Sequence, residues 1–146
     1  MLSKTCEYAI RALIYIAQQT KEGNRIGIKE VAKGIDSPEY FIAKILQEMT
    51  KRNLLQSTKG PNGGFHLNDT NLDNSLALIV REFDGDKIFN GCALGLKQCS
   101  EKNPCPLHDQ FKGIRNNLKQ LLESTTIRML VDKLETKNVF LKLNIE

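Results

Sequence analysis

The sequence contains no long apolar run. Its longest, Ala9 to Ala17, is interrupted by Arg11 and falls far short of the roughly 20 residues needed to span a bilayer, so no membrane partner is expected. Lys4, Glu7 and Arg11 also break up the amino-terminal segment, and no apolar core followed by a small-residue cleavage site is present. A secretory signal is therefore not expected, and the cytoplasm is the expected compartment. Low-complexity tracts of the kind that mark disorder are absent. So are a nucleophile paired with a base, a phosphate-binding glycine loop ahead of a helix, and a carboxylate pair in a recognisable setting, which argues against an enzyme. What is present is ordinary globular material, 40% hydrophobic and 26% charged. A chain of 146 residues has room for one domain, or a small domain with an appended helical unit.

The net charge of +4 is unevenly placed. Residues 1–67 hold 10 Lys+Arg against 6 Asp+Glu, whereas residues 68–146 hold 11 against 11. The whole excess lies in the first half, the electrostatic footprint expected of a nucleic-acid surface. The pattern there agrees. Ala9, Ala12, Leu13, Ile16 and Ala17 follow the spacing of one helix face, and Ile10 and Ile14 widen it, predicting a first helix over residues 3–19 packed on two sides. Ile28, Val31, Ala32 and Ile35 space a short second helix, which the run from Gly34 to Ser37 interrupts. A third helix should begin near Ser37, with Pro38 at its first position and Phe41, Ile42, Ile45, Leu46 and Met49 turned inward. Two short helices joined by a tight turn make a helix-turn-helix.

Leu54 to Leu67 then reads as two short strand-like runs around a loop of Gly60, Pro61, Asn62, Gly63 and Gly64, a β-hairpin signal. Directly after a helix-turn-helix such a hairpin is a wing. It would carry Lys59 toward phosphates or the minor groove while the preceding helix enters the major groove. His66 is expected to be a surface residue of a wing strand rather than a ligand. Farther on, Leu72, Leu76, Ile79, Val80 and Phe83 predict one more packing helix, ending at Asp84-Gly85.

From Asp86 to Pro106 periodicity stops and three of the four cysteines appear. Leu107, Phe111, Ile114, Leu118, Leu121 and Leu122 then follow at heptad-like steps. One winged helix covers only one half-site, so a long helix with such a stripe is expected to pair two copies. Residues 127–134 look helical, and Val139 to Ile145 is apolar enough to dock.

Cys92, Cys99, Cys105 and His108 have the spacing C-x6-C-x5-C-x2-H. Thiolates and an imidazole from one short loop suit a soft or borderline metal. Zinc in a closed Cys3His site and an iron-sulfur cluster both satisfy the spacing, and a redox-active dithiol is a third possibility. Cys6 reads as a small buried hydrophobe.

The first helix Lys4-Thr5-Cys6-Glu7-Tyr8-Ala9-Ile10-Arg11-Ala12-Leu13, the wing Lys59-Gly60-Pro61-Asn62-Gly63-Gly64-Phe65 and the three cysteines with His108 resemble the IscR/NsrR-type winged helix-turn-helix iron-sulfur transcription regulators. The resemblance covers nearly the whole chain. It implies a homodimeric, bacterial, DNA-binding regulator of a palindromic operator that senses iron-sulfur, nitric oxide or redox status, and it tilts the metal from zinc toward iron and sulfide. Cys92, Cys99 and Cys105 match the family's thiolate ligands. His108 matches the fourth ligand of 2Fe-2S members and is favoured over Glu7, which matches the carboxylate supplied by the partner subunit in 4Fe-4S members. The resemblance implies DNA contacts at Ser37, Pro38, Tyr40, Ala43 and Lys44 on the recognition helix, and at Lys59, Gly60, Asn62 and Gly63 on the wing. A base-reading glutamate of the IscR type is replaced here by Ala43, and the wing arginine by Lys59, so the operator sequence does not transfer. Some relatives without the three cysteines sense through a thiol or a protein partner, and a small electron-transfer or carrier protein would use the same ligands without DNA.

The expected architecture is mainly α with a small β-hairpin wing. A winged helix-turn-helix domain spans residues 1–70, its first helix also packing at the dimer interface. Residues 71–146 supply a cluster-binding loop (86–106), a dimerisation helix (107–125) and a tail.

Overall fold

Ser3 starts the first helix, its Oγ accepting from the Cys6 N–H at 3.1 Å; such a cap is worth about 1 kcal/mol. In the computed structural model, which describes residues 1–142, helix α1 runs Lys4–Gln19. Cys6, Ala9, Ala12, Leu13, Ile16 and Ala17 are buried along it, and the small residues among them let neighbouring helices approach closely.

Helices α2 (Ile28–Gly34) and α3 (Glu39–Lys51) form the expected pair. Asp36 makes the turn between them at φ 57, and the Ser37 N–H donates to the Ala32 carbonyl at 2.9 Å. Pro38 sits at the cap of α3 rather than at its first helical position, one residue from expectation. Helix α3 buries Ile42, Ile45, Leu46 and Met49. It ends where Asn53 adopts φ 58 and the Leu54 N–H returns to the Met49 carbonyl at 2.9 Å, a Schellman closure.

Strands β1 (Gln56–Thr58) and β2 (Gly64–His66) pair antiparallel with Ser57 opposite Phe65. A third segment, with no signal in the sequence, completes the wing. Ile26 bridges Phe65: the Phe65 N–H donates to the Ile26 carbonyl at 2.7 Å, and the Ile26 N–H donates back at 3.2 Å. The hairpin is thereby attached to the chain just ahead of α2.

The single helix expected from Leu72 to Phe83 is two, α4 (Asp69–Leu72) and α5 (Leu76–Asp84). The cause is local. Asn68 and Asn71 form a capping box around α4, and Ser75 Oγ accepts from the Leu78 N–H at 3.1 Å, starting a new helix. Asn71 is buried with its amide satisfied: Oδ1 accepts from the Asn68 N–H and from Gln56 Nε2, both at 3.1 Å, and Nδ2 donates to the Asn53 carbonyl at 2.8 Å. One side chain thus fastens the end of α3, the wing and α4, and burial of an amide requires this degree of pairing.

A helical turn, α6 (Lys87–Asn90), occupies the start of the segment expected to be irregular. Helices α7 (His108–Ser124) and α8 (Ile127–Thr136) follow, and Thr126 Oγ1 caps α8 by accepting from the Met129 N–H at 3.2 Å. Helices α3, α5 and α8 lie against α1, while α5 and α6 lie against α7. The two helix breaks meet: the Leu76 N–H donates to the Thr125 carbonyl at 2.8 Å, and the Ile127 N–H to the Asn74 carbonyl at 3.3 Å.

The buried cluster is continuous from Cys6 to Val131, so residues on both sides of position 70 share one core. Leu13, Ile16, Ile42 and Leu46 are almost fully removed from water; each such burial stabilises by about 1.5–3 kcal/mol. After α8, Leu141 packs against this core and Lys142 Nζ donates to the Lys33 carbonyl at 2.7 Å. The remainder of the apolar tail, 143–146, lies outside the described residues. Among the described residues no helix is long and apolar enough to cross a membrane.

Candidate metal centre and nucleic-acid interface

The cysteine loop leaves α6 at Gly91 and returns to the first turn of α7. Arg115 of α7 donates from Nη1 to the Gly91 carbonyl at 3.0 Å, holding the residue before Cys92 against the helix. The Gly95 N–H donates to the Cys92 carbonyl at 3.0 Å and the Asn103 N–H to Ser100 Oγ at 3.2 Å, closing two turns. These turns fold 14 residues, Cys92 to Cys105, back on themselves. As a result the ligand atoms of Cys92, Cys99 and Cys105 all lie within 4.8 Å of one another. Cys92 Sγ and Cys105 Sγ are 3.6 Å apart, and the Cys105 N–H donates to Cys99 Sγ at 3.4 Å.

His108 is buried beside them, Nδ1 3.3 Å from Cys99 Sγ and Nε2 3.3 Å from Glu101 Oε1. Lys112, one turn along α7, pairs with the same carboxylate. Lys112 first, then His108, hold the Glu101 carboxyl below its ordinary range. Hydrogen bonding from the Leu96 backbone, with a smaller share from Leu94, lowers the Cys92 thiol to about 7 against the opposing effect of burial. For Cys99 the Cys105 N–H favours the thiolate, but burial and the neighbouring thiols Cys105 and Cys92 outweigh it and raise the pKa.

These residues fit a thiophilic metal. A tetrahedral ion with metal–sulfur bonds of about 2.3 Å separates its thiolates by about 3.8 Å, close to the Cys92–Cys105 separation of 3.6 Å. An iron held by thiolates with one nitrogen replacement needs the same donors. Glu7 stands apart, half-exposed on α1 with its carboxylate 3.9 Å from Lys4 Nζ. Cys6 is fully buried, its thiol pushed up to about 12 by burial and, less, by Asp84 and Glu7. That state is inert.

The residues expected to contact DNA are mostly exposed. Tyr40 is 74% accessible at the start of α3, with Lys44 one turn on; Pro38 is exposed, and Ser37 and Ala43 are half-buried. On the wing Lys59, Gly60 and Asn62 are exposed and Gly63 is half-buried. Gly60 adopts φ 107 with open space around it, a loop tip free to approach a backbone closely. Arg25, just ahead of Ile26, lies at the root of the wing, donating from Nη1 to the Gly23 carbonyl at 2.9 Å and from Nε to Thr58 Oγ1 at 3.4 Å. Nothing in the sequence singles it out, because its placement depends on the Ile26–Phe65 bridge. His66 is half-buried on β2, its pKa lowered by burial and then by the Arg25 guanidinium.

The stripe on α7 divides. Ile114 and Leu121 are 64% and 58% exposed, Leu107 is also exposed, and Phe111 and Leu118 are half-buried. Leu122, expected at the dimer seam, is buried in this chain's own core.

A winged helix-turn-helix with an exposed reading helix, a basic wing and a thiol triad defines a DNA-binding transcription regulator. Comparison with known proteins agrees. The sequence pattern of the Rrf2 family, an iron-dependent transcriptional regulator, matches residues 2–133. A helix-turn-helix-type regulator of Aquifex aeolicus is 31% identical over 142 residues, 96% of each chain. The regulator NsrR of Oceanobacillus iheyensis is 25% identical over 131 residues, 89% of this chain and 88% of that one. Among solved structures, CymR, the global cysteine regulator of B. subtilis, superposes with a TM-score of 0.75 at 20% identity, over 90% of this chain and 96% of that one. The chain belongs to the Rrf2 family of transcription regulators and is not an enzyme.

Proposed function

We propose that this regulator acts in the cytoplasm as a homodimer on a two-fold DNA site, and that Cys92, Cys99, Cys105 and His108 hold an iron-sulfur cluster. The observation that carries the reading is the convergence of the three thiols at the start of α7, the helix with an exposed apolar stripe. When bound, the cluster supplies an iron-thiolate centre responsive to iron supply, nitric oxide or oxidants. The place of His108 beside Cys99 supports a 2Fe-2S site completed within one chain over a 4Fe-4S site completed by Glu7 of a second copy.

The labour divides along the chain. Residues 1–70 bind DNA, with Ser37, Pro38, Tyr40, Ala43 and Lys44 facing the major groove and Lys59, Gly60, Asn62 and Gly63 meeting the backbone. Residues 71–146 sense and pair, with Leu107, Ile114 and Leu121 forming the seam and Phe111 and Leu118 bordering it. Arg115 ties the loop to α7 through Gly91, so the conformation of the loop bears directly on the pairing helix. A tenfold change in operator occupancy requires coupling of only about 1.4 kcal/mol.

The test is iron, zinc and acid-labile sulfide per chain in protein isolated without oxygen, with operator binding measured before and after cluster removal. Equal iron and sulfide, lost in a Cys92→Ser/Cys99→Ser/Cys105→Ser variant that remains folded, is the expected result. If that variant still responds to the signal, the sensor reading is wrong. The 3.6 Å Cys92–Cys105 spacing also suits one structural zinc, and zinc without sulfide would establish that second reading.

A further inference from the structure

We infer that Glu101, carried by the cysteine loop and anchored by Lys112, is a positioning residue that aims His108 at the thiols. The inference rests on reading the cysteines and His108 as a metal site. The His108 ring is buried between two different groups: Cys99 Sγ lies 3.3 Å from Nδ1, and Glu101 Oε1 lies 3.3 Å from Nε2. An ionised carboxylate only accepts hydrogen bonds, so the hydrogen of the neutral ring belongs on Nε2. Nδ1 is then bare, its lone pair directed to the side where the sulfurs gather. This is the tautomer that a ligand through Nδ1 needs, and an acceptor on the opposite nitrogen is the usual means of fixing it.

The anchoring is equally specific. Lys112 follows His108 by four residues on α7, so both lie on one helix face, and its ammonium pairs with the Glu101 oxygen that meets the ring. Loop, ring and helix are thereby joined through one carboxylate. Without it the ring is free to take the other tautomer, in which Nδ1–H donates to the Cys99 sulfur and the nitrogen is lost as a ligand.

The experiment uses the full chain, reduced and metal-free, titrated with Co2+ without oxygen. Glu101→Ala should weaken Co2+ binding about 10- to 100-fold, the range seen when an outer partner of a metal-ligating histidine is removed. Glu101→Gln, whose amide oxygen still accepts, should recover part of the loss. In a His108→Ala background Glu101→Ala should add nothing, because its effect passes through the ring; equal losses in both backgrounds would overturn the assignment. Independently, nitrogen-15 spectra of the metal-free protein should show His108 with its hydrogen on Nε2, and Glu101→Ala should abolish that fixed state. A wild-type ring protonated at Nδ1 alone refutes the inference. If wild-type protein binds no Co2+, the metal reading falls, while the ring spectrum still decides the role of Glu101.

Discussion

Replacing Gly64 with alanine should release the wing while leaving the helical core folded. Gly64 adopts φ 137, and a Cβ there would lie 2.6 Å from the Ile26 carbonyl oxygen and 2.9 Å from its carbon. Those atoms are backbone, held by two hydrogen bonds to Phe65, and cannot swing aside as the end of a side chain can. A side chain in such a region costs about 1–3 kcal/mol. If β2 instead retreats, two backbone hydrogen bonds are lost, at about 0.5–1.5 kcal/mol each. Either response costs about 1–3 kcal/mol, and an isolated hairpin is marginal even without it. At about 1.4 kcal/mol per factor of ten, the lower bound alone opens the wing about 5-fold more often. Hydrogen exchange should show this at the Ile26 and Phe65 amides, while amides across Ile42 to Met49 keep their protection. Operator affinity should fall because Lys59 is no longer presented, and metal content should not change. Unchanged protection at Ile26 and Phe65 would refute the steric argument.

Four further outcomes follow from the same structure. Lys59→Ala should weaken binding across DNA sequences and reduce the slope of log affinity against log salt by about 1 per subunit; an unchanged slope removes Lys59 from the contacts. Ile114→Glu with Leu121→Glu should convert dimer to monomer in sedimentation with helical circular dichroism retained, and a persisting dimer places the seam elsewhere. The folded-state pKa of His66 is lowered below its ordinary 6.5, so its contribution is complete above that value and is lost as pH falls through the folded value. Amide spectra of β2 should therefore show loosening below about pH 6.5, and His66→Gln should abolish that dependence; if the variant loosens equally, another group titrates. Leu13→Ala, at a side chain only 1% exposed, should destabilise the chain by about 2–5 kcal/mol in denaturant unfolding. A loss under about 1 kcal/mol would mean that the site collapses around the deletion.

The helix pair and the first helix are legible in the sequence because many residues report one period. Ile42, Ile45, Leu46 and Met49 share a face whatever the turn before them does. The break at Asn74-Ser75 escapes this reasoning, since the apolar spacing from Leu72 through Leu76 to Ile79 runs through the interruption unchanged, and only the capping chemistry of Asn68 and Ser75 betrays it. Ile26 as a wing partner is invisible for a different reason: a one-residue bridge has no period. Leu122 reads as seam because spacing identifies an apolar stripe without saying which edge of it meets the chain's own core. At the thiol loop, rare residue types mark Cys92, Cys99, Cys105 and His108 directly. Glu101 and Lys112, ordinary charges in the sequence, acquire meaning only from the path of the loop.

The meeting of the two helix breaks gives α7 a fulcrum. Hydrogen bonds from Leu76 to Thr125 and from Ile127 to Asn74 pin its far end to the α4–α5 junction, and beyond the pin α8 is seated on α1, the first helix of the chain. Seventeen helical residues make an arm about 25 Å long. A pivot of roughly 5° at Thr125 sweeps the His108 end through about 2 Å over that length. The thiols sit where leverage on the joint is greatest, and the exposed apolar residues Ile114 and Leu121 ride on the arm between load and pivot.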